Sequence, residues 1–223
     1  MEHKRVTLFA GHYGSGKTNI AVNYALKLKK DGENVVIADL DIVNPYFRTK
    51  DSKDELEKNG IKLISSEFAN SNVDFPALPQ EMYEVTDNKS EFAVLDIGGD
   101  DRGAYALGRY APSIKEENNY EMLLVINKYR PFTADAGSVI EIMREIEQAG
   151  GIAFTGIVNN SNLGEETTAR TVLNSVEYAS DVSRITGLPV KMTSVKQSLY
   201  DELKDKIDNV FPLKLQHKIT QEV

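Results

Sequence analysis

Cysteine is absent from the 223 residues of this chain. That excludes disulfides, thiolate zinc sites, cysteine-ligated iron–sulfur clusters and cysteine nucleophiles, and it fits a reducing cytoplasmic compartment. No run approaches the ~18 apolar residues of a membrane span. The opening Met1-Glu-His-Lys-Arg-Val has no apolar stretch of the signal-peptide kind. Basic excess is missing too, since 34 Asp and Glu outnumber 26 Lys and Arg for a formal charge of −8. Broad nonspecific nucleic-acid binding needs basic surface against phosphate and is therefore not expected. The cluster Lys27, Lys29 and Lys30 reads as the solvated end of a helix. Repeats, low-complexity tracts and linkers are also lacking, so residues 1–223 are expected to form a single domain.

What the chain does have is alternation. Apolar runs at 6–10, 34–39, 61–65, 92–97, 122–127, 152–159 and 190–194 read as strands, several nearly continuous, as in a parallel sheet buried on both faces. Between them the periodicity changes to that of amphipathic helices, at 18–30, 134–148 and 165–186. In the last of these Ala169, Val172, Val176, Ala179 and Val182 make one stripe, ended by Gly187 and Pro189. Such a pattern predicts an α/β fold of βαβ units, with helices on both faces of the sheet. In sheets of this kind ligands bind beyond the carboxyl ends of the strands.

The residues with the most chemistry stand at those ends. After the first strand comes Gly11-His-Tyr-Gly14-Ser15-Gly16-Lys17-Thr18, a complete G-x-x-x-x-G-K-[ST] sequence between strand and helix. Its glycines permit backbone conformations that turn successive N–H groups inward toward phosphate oxygens, and the helix that follows adds its positive dipole end. Gly11, Gly14, Ser15, Gly16, Lys17, Thr18 and Asn19 are the expected nucleotide contacts. Lys17 reaches the β- and γ-phosphates, and the Thr18 hydroxyl ligates Mg²⁺.

After the second strand, Asp39-Leu-Asp41 sets two carboxylates at i and i+2, pointing the same way. One is expected to organise the magnesium shell and the other to orient or activate the attacking water. After the fourth strand, Asp96-Ile-Gly98-Gly99 pairs an acid suited to Mg²⁺ with glycines that give a backbone N–H access to the γ-phosphate and leave the segment able to rearrange. The sixth strand ends in Asn159-Asn160-Ser161-Asn162. The Asn160 carboxamide can pair donor and acceptor with a purine edge, whereas Asn162 reads as a loop cap. Asn127-Lys128 opens like the guanine-reading N-K-x-D, but the fourth position is Arg130, so ATP is favoured over GTP.

These residues resemble the MinD/ParA/CobQ-type P-loop ATPases, which include the nitrogenase iron protein, the Mrp-like scaffold ATPases and the carbon-monoxide-dehydrogenase maturation ATPase. The resemblance covers roughly residues 5–195 and rests on 11–18, Asp39-x-Asp41, Asp96-x-x-Gly99 and Val158-Asn159-Asn160-Ser161. It implies a three-layer P-loop NTPase fold with a seven- or eight-stranded, mainly parallel sheet, and ATP-dependent face-to-face dimerisation. It also implies Asp41 as the hydrolytic aspartate, Asp96 as the switch II acid and Asn160 as the adenine contact. Relatives commonly carry a lysine after the first loop glycine, and it reaches the partner subunit's phosphates. Here that position is His12, which is not a constant cation at neutral pH. Arg48 and Arg102, in the two switch segments, are candidates for the missing charge.

The absence of cysteine removes the metal-cluster tasks of such relatives. The acidic tail 198–209, with Leu199, Leu203 and Ile207 on one stripe, reads as a helix packed on the domain rather than a membrane anchor. Segment 211–215 reads as an edge strand or a partner contact. Three functions stay open. One is an ATP-hydrolysing switch acting on another protein, and a second is a ligase or phosphotransferase of the dethiobiotin/cobyrinate type, for which 68–79 with Asn70, Asn72 and Asp74 reads either as a pocket wall or as a plain connection into a helix starting near Leu78. The third is a nucleotide-bound adaptor that hardly hydrolyses.

Overall fold

Branched aliphatic residues in nearly unbroken runs suit strands covered on both sides. The computed structural model describes residues 3–40, 49–65, 80–99 and 101–215. Among these, eight strands are formed: β1 Val6–Ala10, β2 Val35–Leu40, β3 Lys62–Ser65, β4 Phe92–Ile97, β5 Tyr120–Ile126, β6 Gly156–Asn159, β7 Val190–Lys196 and β8 Val210–Leu213. They make one sheet in the order β3-β2-β4-β1-β5-β6-β7-β8, and every neighbouring pair is parallel.

Helices α1 Lys17–Lys30 and α2 Lys53–Lys58 follow β1 and β2, and α3 Glu84–Asp87 precedes β4. Next in the chain are α4 Asp101–Gly108, α5 Ala111–Glu117 and α6 Ala136–Gly150. The last three are α7 Ala169–Leu173, α8 Val176–Thr186 and α9 Tyr200–Leu203. Strand residues of opposite parity feed two cores, which makes the fold three-layered. Phe9, Ile37, Val94 and Val125 pack with α1, Leu56 of α2 and Phe211 of β8. Leu8, Ala38, Leu95 and Leu124 pack with α4, α5, α6 and α8. On α1, Ile20, Val22 and Leu28 are essentially fully buried, and each contributes about 1.5–3 kcal/mol.

Several elements differ from their sequence expectation. Only Gly156–Asn159 of 152–159 is strand, because the Thr155 hydroxyl accepts from the Met122 N–H at 3.0 Å where a ladder bond would form. The helix expected over 165–186 is divided. Thr168 and Thr171 form a capping box that starts α7. The Ser175 hydroxyl then donates to the Val172 carbonyl at 2.7 Å between α7 and α8, a polar side chain competing with the helix ladder. The apolar stripe divides with it, so Ala169 and Val172 join Val195 and Leu203, Ala179 and Val182 enter the main core, and Val176 is exposed. In the tail only Tyr200–Leu203 is α-helical, yet Leu199, Leu203 and Ile207 do pack on the body of the protein. Segment 211–215 supplies β8, and its Pro212 is tolerated because β8 lies at the sheet edge.

At the end of β1 remote from the phosphate loop, Arg5 is buried. Its guanidinium donates to the carbonyls of Val85 at 3.0 Å, Asn88 at 3.2 Å and Glu91 at 3.2 Å, and to the Glu117 carboxylate. The Arg5 hydrogen bond, with Lys89 adding a second, holds the Glu117 carboxyl below the usual glutamate range. A depressed folded pKa stabilises above the unfolded value of about 4.3 and is lost as pH falls through the folded one. Glu117→Ala is therefore expected to lose about 3 kcal/mol at pH 7, with the gap to wild type closing in acid. Urea midpoints at pH 7 and below pH 4 measure this, and a gap unchanged by pH would contradict it.

Candidate functional site

Gly11, Gly14 and Gly16 have φ of 146°, 77° and 90°, so the loop bends through conformations that only glycine adopts readily. Two of them also meet close neighbours. A Cβ on Gly11 would lie 2.5 Å from the Val125 carbonyl oxygen of β5, and one on Gly16 would lie 2.2 Å from Asn160 Nδ2. Gly16 is the N-cap of α1 and provides no side-chain cap, which leaves the first helical N–H groups to serve another acceptor. Lys17 is buried, and its Nζ donates to the His12 carbonyl at 3.2 Å. Thr18 is buried beside it. The Ser15 hydroxyl is buried with no hydrogen-bond partner among the described residues. A cradle of backbone donors, a buried cation and an unused hydroxyl fits an anion, and in particular a polyphosphate.

Asp39 and Asp96 are Cα partners in the parallel pairing of β2 with β4. They share the parity of Ile37 and Val94, so both carboxylates lie on the α1 face at the carboxyl ends of their strands. Strands run about 4.8 Å apart, and two buried carboxylates that close favour a cation between them. Asp41 lies outside the described residues, as do Arg48 and the stretch 66–79. The backbone of Arg102 is helical, but its side chain is likewise undescribed.

Gly99 closes against the loop. A Cβ on Gly99 would lie 2.6 Å from the Tyr13 backbone N and 3.0 Å from Lys17 Nζ. Gly98 packs on α4, where a Cβ on Gly103 would lie 2.5 Å from Gly98 Cα. The segment after β4 thus touches both the phosphate loop and the first turn of the following helix. The hard oxygen donors of Thr18, Asp39 and Asp96 suit Mg²⁺, which is usually held by one or two carboxylates and completes its shell with phosphate and water. Among the described residues no three His, Cys, Asp or Glu gather as a protein-only metal cage.

Asn160 is buried with its amide engaged at both ends. Nδ2 donates to the Ser15 carbonyl at 2.6 Å, and Oδ1 accepts from the Ser194 hydroxyl. It thereby ties the ends of β6 and β7 to the phosphate loop. Asn162 closes its own loop, donating to the Asn160 carbonyl at 2.7 Å and accepting from the Gly164 N–H at 3.0 Å. Asn19, in the first turn of α1, accepts from Asn23 Nδ2 through its carbonyl at 2.8 Å.

Two residues with parts in this site carried no sequence signal. Thr49, fully buried directly after the undescribed 41–48, donates from its hydroxyl to Asp96 Oδ2 at 3.1 Å. It links the connection after β2 to the acid of β4. Asn23 clamps the segment after β8 to α1, accepting from Lys214 N at 2.9 Å and donating to Lys214 O at 3.0 Å. Beside that clamp, the flank of α1 borders a cavity of about 720 Å³, with Leu26, Glu55, Lys58, Lys196 and Gln197 among its walls. No residue of the phosphate loop lines it.

No helix among the described residues is long and apolar enough to cross a membrane. The profile of the family described as CbiA, the CobQ/CobB/MinD/ParA nucleotide binding domain, matches residues 6–185. Among curated proteins none matches the chain. Solved structures resemble it at low identity. FtsY from Mycoplasma mycoides is 17% identical with a TM-score of 0.57, over 87% of this chain and 62% of that one. FtsY from Thermotoga maritima is 20% identical with a TM-score of 0.56, over 85% of this chain and 61% of that one. The signal recognition particle 54 kDa protein from Aeropyrum pernix K1, in complex with GDP, is 16% identical with a TM-score of 0.52, over 86% of this chain and 41% of that one. The chain spans less than two thirds of the length of these proteins, and the likeness is one of fold.

Proposed function

This chain belongs to the CobQ/CobB/MinD/ParA family of P-loop nucleotide-binding domains, and from that premise we propose that it is a magnesium-dependent ATPase working as a nucleotide-driven switch. The observation that carries the reading is the close approach of Gly99 to Tyr13 and Lys17. A segment packed on the phosphate loop is displaced or held according to whether a γ-phosphate is there, and this is how hydrolysis becomes movement.

In the proposed reaction the loop amides and Lys17 hold the β- and γ-phosphates and take up charge developing on the transferred group. Asp41 orients the attacking water. Thr18, Asp39 and Asp96 are the side chains that hold Mg²⁺, which when bound neutralises phosphate charge. Gly98 and Gly99 move with the γ-phosphate. Asn160 keeps one amide hydrogen and one lone pair beyond its two hydrogen bonds, enough to read an adenine edge. The guanine-gripping carboxylate is replaced by Arg130, which supports ATP over GTP. We assign the protein to the cytoplasm as a single-domain switch that dimerises on ATP and acts on a protein partner, with slow turnover alone because a switch needs a long-lived triphosphate state.

Thermal unfolding with Mg-ATP, Mg-ADP and Mg-GTP, paired with light scattering, tests this. A ligand at 100 times its dissociation constant adds about 2.7 kcal/mol. Stabilisation by ATP and not GTP, with mass doubling only in ATP, is the expected result. Stabilisation without a change of mass would favour a monomeric metabolite ligase or phosphotransferase. No stabilisation by any nucleotide would overturn the proposal.

A further inference from the structure

The family's usual loop lysine is replaced by His12, and the geometry around His12 points to where the missing charge comes from. The His12 ring stacks on Phe132, with centroids 4.9 Å apart and planes inclined at 32°. Phe132 belongs to the turn after β5, and two residues earlier in that turn stands Arg130. Its Nε is 4.0 Å from where a Cβ on Gly14 would stand, at the crest of the phosphate loop. Among the described residues no hydrogen bond or ion pair engages the Arg130 guanidinium, and the side chain is exposed.

The turn that carries Arg130 is unusually well fixed for a surface connection. The Asn127 carbonyl accepts from Arg130 N at 3.1 Å and from the Thr133 hydroxyl at 2.7 Å. The Asn127 side chain accepts from Tyr129 N at 3.0 Å. Lys128 N donates to the Ser161 hydroxyl at 2.9 Å, and its Nζ donates to the Asn174 carbonyl at 2.8 Å. The Tyr129 hydroxyl donates to the Thr171 carbonyl at 2.7 Å, and the Tyr178 hydroxyl donates to the Thr133 carbonyl. Pro131 stiffens the backbone directly after Arg130. These anchors hold the turn in position, while among the described residues no hydrogen bond or ion pair engages the cation at its tip. Such preorganisation suits a group whose task is to meet charge in a transition state.

We propose that Arg130 is a catalytic residue that contacts the bridging and γ-phosphate oxygens of ATP bound in its own subunit, replacing a cation supplied by a partner. His12 in turn is a positioning residue, the platform on which Phe132 seats the turn. The inference rests on the ATPase reading above. In the step it serves, the water oxygen forms the new bond to the γ-phosphorus and the bond from phosphorus to the bridging oxygen breaks. That electron pair leaves with ADP, and the surplus proton passes to solvent. Negative charge grows on the bridging and γ-oxygens, and a planar guanidinium donates to two such oxygens at once where lysine offers a point charge.

The test uses the full chain and the variants Arg130→Ala, Arg130→Lys and Arg130→Gln. It measures single-turnover ATP hydrolysis, Mg-ADP affinity, and retention of ADP with aluminium fluoride, a mimic of the transferring phosphoryl group. Arg130→Ala is expected to slow hydrolysis roughly 100-fold and to lose fluoride-dependent ADP retention, while ADP affinity stays within about twofold. Arg130→Lys should recover part of the rate, and Arg130→Gln should not. Mixing Arg130→Ala with Lys17→Ala protein separates action within a subunit from action between subunits, and no recovery of rate is expected. Wild-type hydrolysis and retention in Arg130→Ala would overturn the assignment and leave the ATPase reading standing. Recovery in the mixture would overturn the placement of Arg130 on its own subunit's nucleotide. A wild-type protein that holds neither ADP nor the fluoride complex would overturn both proposals.

Discussion

Lys17→Ala is expected to abolish measurable ATP turnover while leaving the protein folded. In the folded chain Lys17 makes a hydrogen bond of 3.2 Å to the His12 carbonyl from a buried position. Losing that bond is offset by no longer burying an ammonium group, so stability without nucleotide should change by about 1 kcal/mol or less. Bound polyphosphate is a different matter. A charged donor facing phosphate oxygens contributes about 1.5–3 kcal/mol to binding, up to about 100-fold in affinity. It contributes more in the transition state, where removing one donor slows reactions about 10²–10³-fold. At an ATP concentration 100 times the wild-type dissociation constant, stabilisation should fall from about 2.7 to about 0.4 kcal/mol. Thermal unfolding with and without Mg-ATP measures both halves of the prediction. Full ATP stabilisation of the variant would remove Lys17 from the site.

Gly99→Ala is expected to produce the second large effect, by steric means alone. The added methyl would stand 2.6 Å from Tyr13 N and 2.9 Å from Tyr13 Cα, neither of which is the end of a flexible side chain. Either the phosphate loop or the segment after β4 must retreat. Lys17 Nζ, 3.0 Å from the same point, must move as well. A displacement near 1 Å at a reacting centre slows catalysis roughly 100-fold. The apolar faces of β1 and β4 lie farther down the sheet and are untouched, so the urea midpoint should stay close to wild type. The decisive comparison is hydrolysis rate against ADP affinity. Loss of rate with ADP binding retained supports Gly99 as a γ-phosphate sensor, and an unchanged rate would end that assignment.

The part of this architecture readable in advance is the part written in local spacing. Gly11, Gly14, Gly16 and Lys17 sit between a strand and a helix, and the steric demands of that turn are visible from residue types alone. Asp39 and Asp96 each end an apolar run, and strand ends in a parallel sheet face the ligand side. Their adjacency in register is a fact of sheet order, which spacing does not encode. Thr49 shows the limit more sharply. Nothing in Arg48-Thr49-Lys50 distinguishes a buried hydroxyl bound to a carboxylate 47 residues away from an ordinary polar connection. β8 was ambiguous because four residues containing proline carry little periodicity, and its place is set by Phe211 and Leu213 entering the α1-side core. Arg130 could be read only as what a guanine motif lacks, since its nearness to Gly14 follows from the stacking of Phe132 on His12.

The strand order has a consequence for how the protein comes into being. β1, from which the phosphate loop hangs, is flanked by β4 and β5 and pairs with neither β2 nor β3. Its partners begin at Phe92 and Tyr120, so a chain emerging from the ribosome carries its phosphate loop for a long stretch before either flanking strand exists. At about 5–20 residues per second, several seconds pass in which the apolar run Val6–Ala10 has no place in a sheet. Nucleotide can give little help in that interval, because the Val125 backbone against which Gly11 bends has not yet been made. The Asn23 clamp on Lys214 closes later still, after β8 has been made. The phosphate loop thus cannot be completed before β4 and β5 are made, and until then the apolar run of β1 has no sheet to cover it.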